Sequence, residues 1–291
     1  MLTLKDKVKR IIPDAIYLKY LYKKLIGKEL NLKNPITYNE KLQWLKLYDR
    51  NPKYSSLVDK YTVKKFVAEK IGEKYVIPVL GIWDNVENID WNSLPDSFVL
   101  KCTHDSGGII ICNDKKNMNI EVVKTKLSIH LAENFYYQSR EWPYKYIKPR
   151  IIAEPYLEDE TYGELRDYKF FVFNGKVKYM FIATDRNKDT EETKFDFFDM
   201  EFSHLDIRNG HPNAIIPPNK PVNYELMKEL AEKLAENIPH VRVDFYEVNG
   251  KVYFGELTFY HWGGYVPFEP EIWDEKFGDM LELPRKKRYI L

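Results

Sequence analysis

Apolar residues recur along this chain at two spacings, near 3.6 and near 2, and the change of spacing divides it. The first third reads as helical. "TYNEKLQWLKLYDR" puts Leu42, Trp44 and Leu45 near helical spacing, with Thr37 or Asn39 available as a cap. "SLVDKYTVKKFVAEKIG" repeats the theme with Leu57, Tyr61, Val63, Phe66 and Val67, and Gly72 supplies a stop. "YVIPVLGIW" and "SFVLK" then read as short strands, residues 121–140 as a helix, and "YIKPRIIAEPYL" as a strand entering a proline-marked linker. Beyond it, "RDYKFFVFNGKVKYMFIATD" and "HVRVDFYEVNGKVYFGELTFY" each place two strands around Asn-Gly, the strongest short hairpin signal. Between them "NYELMKELAEKLAENI" is an amphipathic helix with Leu226, Met227, Leu230, Leu234 and Ile238 inward. The predicted organisation is α+β: a helical segment at 1–58, a small lobe at 59–152, and a larger lobe of antiparallel hairpins at 153–291.

The second hairpin carries the first chemical signal. Asp244 and Glu256 flank Asn249-Gly250. A two-residue turn pairs positions of odd sum and sends the two acids to opposite faces. A three-residue loop, with Gly250 at positive φ, makes the sum even and puts them on one face. Val243 and Phe245 must share a buried face with Tyr253 and Leu257, so core formation selects the second register. Asp244, Glu256, Arg242 and Thr258 then converge. Like charges brought together need a shared cation or proton, and an all-oxygen set favours Mg²⁺ over zinc. A solvent-facing acid pair bridged by Arg242 remains open on these residues alone.

A second signal is "FVLKCTHDSGGIII", in which Lys101 is followed after five residues by Gly107-Gly108 between two apolar runs. It is not a Walker A loop, since the Gly-Lys-Ser/Thr order is missing. It reads either as a hairpin tip or as one part of a phosphate site. A lysine, a glycine cover and metal-holding acids together are what nucleotide phosphates require.

Composition narrows the classes. The formal net charge of +1 gives no global field for nucleic acid. Residues 1–30 hold eight Lys/Arg against three acids and the chain ends "PRKKRYIL". These basic ends read as solvated surface or as weak attraction to an anionic membrane face or polymer. Two cysteines exclude a disulfide framework. The sequence shows no membrane-spanning run and no signal-peptide pattern at its start, so a cytoplasmic protein is expected.

With these residues in place the chain resembles the ATP-grasp superfamily, in particular its TupA-like branch, from about Asn34 to Gly264. "NPITYNEKLQWLKLYDR" with "DKYTVKKFVAEKIG" looks like that branch's N-terminal signature. The resemblance implies an ATP-grasp fold of two lobes with largely antiparallel sheets clamping a nucleotide. It makes Lys101 a phosphate contact, Gly107 and Gly108 part of the covering loop, and "IIAEPYL" the hinge. The backbone at Glu154, Tyr156 and Leu157 would read the adenine edge. Lys169 would reach the phosphates, Asp244 and Glu256 would hold Mg²⁺, and Arg242 would serve the reacting oxygens. Where many relatives carry Glu-x-Asn, this chain has Glu256-Leu257-Thr258, and a hydroxyl is a poorer ligand than an amide carbonyl. The separate N-terminal α/β domain of larger members is not evident.

What the resemblance implies chemically is ATP-dependent joining of a carboxylate to an amine through an acyl phosphate. The branch is associated with bacterial surface polysaccharides, so the expected partners are a carboxylate-bearing sugar such as a uronic acid, and an amine. Arg186, His261 and Trp262 flank the phosphate end and are candidates for substrate contact. Trp262 could stack a sugar face or pack as core. A sugar-nucleotide glycosyltransferase is the alternative, but the chain lacks the alternating βαβ pattern of a Rossmann-like sheet. A non-catalytic nucleotide-binding module and a simple kinase are further readings.

Overall fold

The computed structural model describes residues 9–186 and 192–286. Two antiparallel sheets organise the chain. The smaller has the order β1-β4-β2-β3, formed by Gly81–Trp83 (β1), Phe98–Cys102 (β2), Ile109–Cys112 (β3) and Ile151–Pro155 (β4). Phe98, Leu100 and Cys102 of β2 point into a core closed by Val123 and Leu127 of the helix Ile120–Ala132. The larger sheet has the order β10-β9-β5-β6-β7-β8. Its strands are Asp167–Phe173 (β5), Lys176–Thr184 (β6), Lys194–Phe198 (β7), His204–Leu205 (β8), His240–Val248 (β9) and Lys251–Thr258 (β10).

Several elements end earlier than the pattern predicts. The run "YVIPVLGIW" is a strand only at Gly81–Trp83, after a 3-10 turn at Glu73–Tyr75. Pro78 within it has no N–H to give a ladder. The helix read over 121–140 stops at Ala132, because Asn134 Oδ1 takes the N–H of Tyr136 (3.1 Å) and starts the separate turn Tyr136–Ser139. Strands β7 and β8 and the helix Ile272–Met280 were not delimited by the sequence pattern.

The two faces of the large sheet have different partners. Helix Tyr224–Leu234 covers one with Met227, Leu230, Ala231 and Leu234, against Phe170 and Phe245. On the other, Phe171, Phe173 and His240 meet Tyr38 and Phe277 from the helices Tyr38–Tyr48 and Ile272–Met280. Thr37 caps the first of these in a full capping box with Glu40. Asn39, the other candidate cap, instead holds Asp274 through both its backbone and side-chain nitrogens (2.9 and 3.1 Å). Val63 and Val67 of the helix Val63–Ile71 also belong to this large core.

Both Asn-Gly hairpins are tight two-residue turns, with Asn174, Gly175, Asn249 and Gly250 all at positive φ. The three-residue loop expected at Gly250 does not form. Near the turn the pairing is 248 with 251 and 245 with 254; beyond Gly255 it becomes 244 with 256 and 242 with 258. One extra residue, Gly255, bulges out and converts the odd register to the even one. The acids therefore share a face as expected, through a bulge rather than a longer loop. The bulge also changes the core: Phe254, not Tyr253, pairs with Phe245, while Leu257 pairs with Val243 as expected. A side chain at 255 would place its Cβ 3.1 Å from the Asp244 carbonyl oxygen, which is why the bulge carries glycine.

His240 is fully enclosed and neutral. Its Nδ1–H donates to the Val172 carbonyl (2.9 Å) and Nε2 accepts from the Tyr38 hydroxyl (2.8 Å). Burial pushes its pKa down to about 3. The unfolded chain therefore takes up this proton first, and the histidine's contribution is complete above about pH 6.5. It is lost as pH falls toward 3. In urea titrations from pH 6.5 to 4.5, the wild type should lose about 2 kcal/mol more in total than His240→Gln. Parallel curves for the two proteins would reject this assignment.

Candidate functional site

Strands β5, β9 and β10 assemble one charged wall. The β5–β9 register sets Lys169 opposite Asp244 and Phe171 opposite Arg242, while β9–β10 sets Asp244 opposite Glu256 and Arg242 opposite Thr258. Asp244 is wholly buried, and Lys169 Nζ lies 2.5 Å from its Oδ2. Arg242 grips the same carboxylate with two donors, Nε to Oδ1 and Nη2 to Oδ2, each 2.7 Å. Burial alone would raise the Asp244 pKa; Arg242 and Lys169 reverse this and hold the carboxyl well below the usual range. Arg242 Nη2 also reaches Thr258 Oγ1 (3.0 Å) and Glu256 Oε1 (3.3 Å).

A second layer orients the arginine. Its Nη1 donates to His261 Nδ1 (2.5 Å), so His261 is protonated on Nε2 and donates to Asn209 Oδ1 (2.8 Å). Asn209 Nδ2 then donates to the Val266 and Pro267 carbonyls, which fixes its amide orientation. Burial and the Arg242 charge keep His261 neutral, its pKa well below the ordinary value. His261 was expected to touch substrate; both of its nitrogens are engaged by the protein, and it backs Arg242 instead.

Two cavities meet at this wall. A narrow one of about 90 Å³ is lined by Lys64, Lys101, Glu154, Asp167, Lys169, Arg186 and Glu256 among others. A wide one of about 590 Å³ is lined by Lys169, Arg186, Arg242, Glu256, Thr258, His261 and Trp262, with Glu141, Tyr144, Tyr260 and Tyr265 at another part of its wall. Lys169, Arg186 and Glu256 belong to both. Arg186 pairs closely with Asp167 Oδ2, which also lies 3.0 Å from Lys169. Trp262 sits at positive φ with its indole over Gly210, where a Cβ would come within 3.0 Å, and it is 41% exposed.

Lys101 comes into place on β2, and a residue that the sequence pattern did not single out joins it. Lys64 from the helix Val63–Ile71 and Lys101 clamp the buried Glu154 at 2.5 and 2.6 Å. Against the pull of burial, these cations lower the Glu154 pKa. Lys64 looks in sequence like one of several surface lysines; only the docking of its helix turns it inward. Lys60 lines the same cavity and was also missed.

Other expected contacts are placed less directly. Gly107 and Gly108 form the β2–β3 turn, outside the lining of both cavities, whereas Ser106 borders the wide one. Gly108 N–H donates to Asp105 Oδ2 (3.0 Å), which also pairs with His130 Nδ1 (2.7 Å). A Cβ at 108 would overlap Asp105 at 2.5 Å, so its glycine serves the turn itself. Tyr156 and Leu157 follow β4, half-buried, and line neither cavity.

The oxygen donors suit Mg²⁺ in kind. Glu256 is exposed toward the cavities and Asp167 Oδ1 is buried without a hydrogen-bond partner. Asp244 has both oxygens engaged by Lys169 and Arg242, and Thr258 Oγ1 by Arg242. Among the described residues no group of three His, Cys, Asp or Glu is arranged to hold a metal.

The family model for TupA-like ATPgrasp matches residues 40–282. The chain belongs to the TupA-like ATP-grasp family. Its two antiparallel sheets with helices are the α+β ATP-grasp fold expected from the sequence. Among solved structures it is similar to D-alanine–D-alanine ligase from Bacillus anthracis complexed with ATP (14% identity, 70% of this chain, 53% of that one, TM-score 0.40). It is also similar to the Helicobacter pylori D-alanine–D-alanine ligase (15%, 78% and 61%, TM-score 0.38). A third is N5-carboxyaminoimidazole synthase from Aspergillus clavatus with ADP and its ribonucleotide (12%, 70% and 44%, TM-score 0.38). This TupA-like chain spans about half the length of the first of these. No curated protein matches it.

Asp244→Asn leaves two buried cations without their shared charge. Urea unfolding should show a loss of about 3–5 kcal/mol. A loss below ~1 kcal/mol would mean that Glu256 and Asp167 compensate fully.

Proposed function

We propose that this protein is an ATP-dependent carboxylate–amine ligase that acts through an acyl phosphate. The observation that carries the reading is the shared wall: Lys169, Arg186 and Glu256 face a narrow cationic cavity on one side and a wide cavity on the other. A nucleotide's phosphates would enter the narrow cavity, against Lys101, Lys64 and Lys169. The carboxylate to be activated would lie in the wide one. Lysines and an arginine fixed before the reaction stabilise charge that develops on the transferring group without reorganising. Mg²⁺ would be held by Glu256 and Asp244, with Thr258 beside them, and would supply charge neutralisation at the phosphates. Arg242, pointing from the same wall, would hold the acyl phosphate oxygens.

In this reading residues 59–152 and 153–291 act as the two lobes on a helical base at 1–58. The backbone at Glu154, Tyr156 and Leu157 would meet the adenine, and the turn with Gly107 and Gly108 would cover the phosphates. The substrate class we infer is a uronic acid of a bacterial surface polysaccharide or its precursor. Lys169, Arg186 and Arg242 in the wide cavity suit its carboxylate, and the exposed indole of Trp262 in the same cavity suits a sugar face. The basic ends expected to attract a membrane or anionic polymer lie partly in 1–8 and 287–291, outside the described residues. No helix among the described residues is long and apolar enough to cross a membrane.

Calorimetric titration with a Mg²⁺-bound non-hydrolysable ATP analogue should show binding that weakens at least about tenfold in Lys101→Ala, a loss of about 1.4 kcal/mol. Binding of UDP- or GDP-sugars instead of the ATP analogue would put a glycosyltransferase first. Arg242→Ala should keep analogue affinity within about threefold while ADP release with uronates and amines falls a hundredfold or more. Equal losses in both would remove Arg242 from the reaction and leave it a binding residue.

A further inference from the structure

Glu141 is a buried acid that forms no ion pair among the described residues. It stands just before the 3-10 turn Trp142–Tyr144, is 6% exposed, and lines the wide cavity. Among the described residues one hydrogen bond reaches its carboxylate, from Ser139 Oγ to Oε1 at 2.7 Å. Lys46, a wholly buried cation outside the cavity lining, acts on it through space without forming an ion pair with it, and its ammonium lies over the rings of Tyr265 and Tyr260 (4.3 and 5.6 Å to the centroids). It bonds Gln43 Oε1 (3.1 Å) and the carbonyls of Ser139 (2.9 Å) and Gly263 (2.6 Å). The Tyr265 hydroxyl, buried on the same cavity, has no hydrogen-bond partner among the described residues.

An unpaired carboxylate in a low-dielectric pocket is costly, and a cation arriving from outside relieves the cost. The cavity already holds cations at the wall of Lys169, Arg186 and Arg242, suited to carboxylate and phosphate. Glu141 and the tyrosines offer the complementary surface, a carboxylate with aromatic faces, which is the chemistry that binds an ammonium. The geometry points to Glu141 as the docking group and proton acceptor for a primary amine, an assignment that rests on the ligase reading above.

The step balances. The ammonium gives one proton to the Glu141 carboxylate, and the freed amine nitrogen attacks the acyl phosphate carbon. The carbon–oxygen bond to phosphate then breaks, and phosphate leaves with that electron pair and takes up the nitrogen's second proton. One amide, one phosphate and one net proton result, Glu141 releasing its proton to solvent before the next cycle. Burial raises the carboxyl's pKa above the usual range, against the opposing pull of Lys46 and Ser139, making it a stronger base than a surface glutamate.

Glu141→Gln keeps the shape of the side chain and removes its charge, and two measurements on the full chain test the assignment. In thermal unfolding at pH 8 without ligands, the variant should melt about 2 °C or more above the wild type, because an unpaired buried charge is gone. A lower midpoint would show that the protein itself satisfies the carboxylate, and would overturn the proposal. The second measurement uses Mg²⁺-ATP with a panel of uronates, and either hydroxylamine or primary alkylamines and amino acids. Hydroxylamine is largely unprotonated at neutral pH and traps an acyl phosphate without an ammonium site. Amide formation by Glu141→Gln should fall a hundredfold or more, with hydroxamate formation within about threefold of wild type. If both products fall together, or neither does, the ligase reading stands and the Glu141 assignment is lost. If the wild type makes no hydroxamate with any uronate, the ligase reading fails and takes the assignment with it.

Discussion

Asp244 lies wholly buried on the second strand of a six-stranded sheet, with Arg242 and Lys169 both bonded to its carboxylate. Removing three charges from water is tolerable only when their geometry is close and their remaining donors are used. Much of the surrounding structure supplies those conditions. Cross-strand register brings Lys169 opposite Asp244, and the Gly255 bulge rotates Glu256 and Thr258 to the same face. His261, locked by Asn209, takes a further arginine donor. Below the charges the same sheet face becomes the aromatic cluster of Phe171, Phe173 and His240. Helices from early and late in the chain seal it.

The Lys64–Glu154–Lys101 contact does for the junction of the sheets what Asp244 does for the large sheet. Lys64 comes from a helix packed on the large core, while Lys101 and Glu154 sit on neighbouring strands of the small sheet. Opposite charges from three elements thus meet at the narrow cavity. The wide cavity is arranged differently. Its cations stand on the shared wall and its isolated acid, Glu141, belongs to a loop beyond the helix Ile120–Ala132. In the proposed reaction two substrate groups of opposite charge would be held there at once.

Much of the fold was legible because local patterns and tertiary structure agree. Asn-Gly between alternating apolar runs marked both hairpins, Thr37 or Asn39 marked a helix start, and the period of 224–234 marked its buried face. Element ends were less legible. Pro78 and Asn134 interrupt apolar runs by their hydrogen-bonding chemistry, and such effects shift a boundary without changing periodicity. The short strand His204–Leu205 carries too few residues to show a period at all.

At the site, residue types and spacing along the second hairpin determined that Arg242, Asp244, Glu256 and Thr258 must share a face if Val243 and Leu257 are to be buried. The means was decided by tertiary structure. A tight turn set one register, the core demanded the other, and Gly255 absorbed the difference because it alone has no Cβ to meet the Asp244 carbonyl. Tertiary structure also decided what single-chain periodicity cannot encode: that Lys64 turns inward, that His261 backs Arg242, and that Glu141 is buried with no ion-pair partner among the described residues. Each depends on which distant backbone closes over the side chain. Burial and charge pairing are properties of that closure, and spacing along the chain does not contain them.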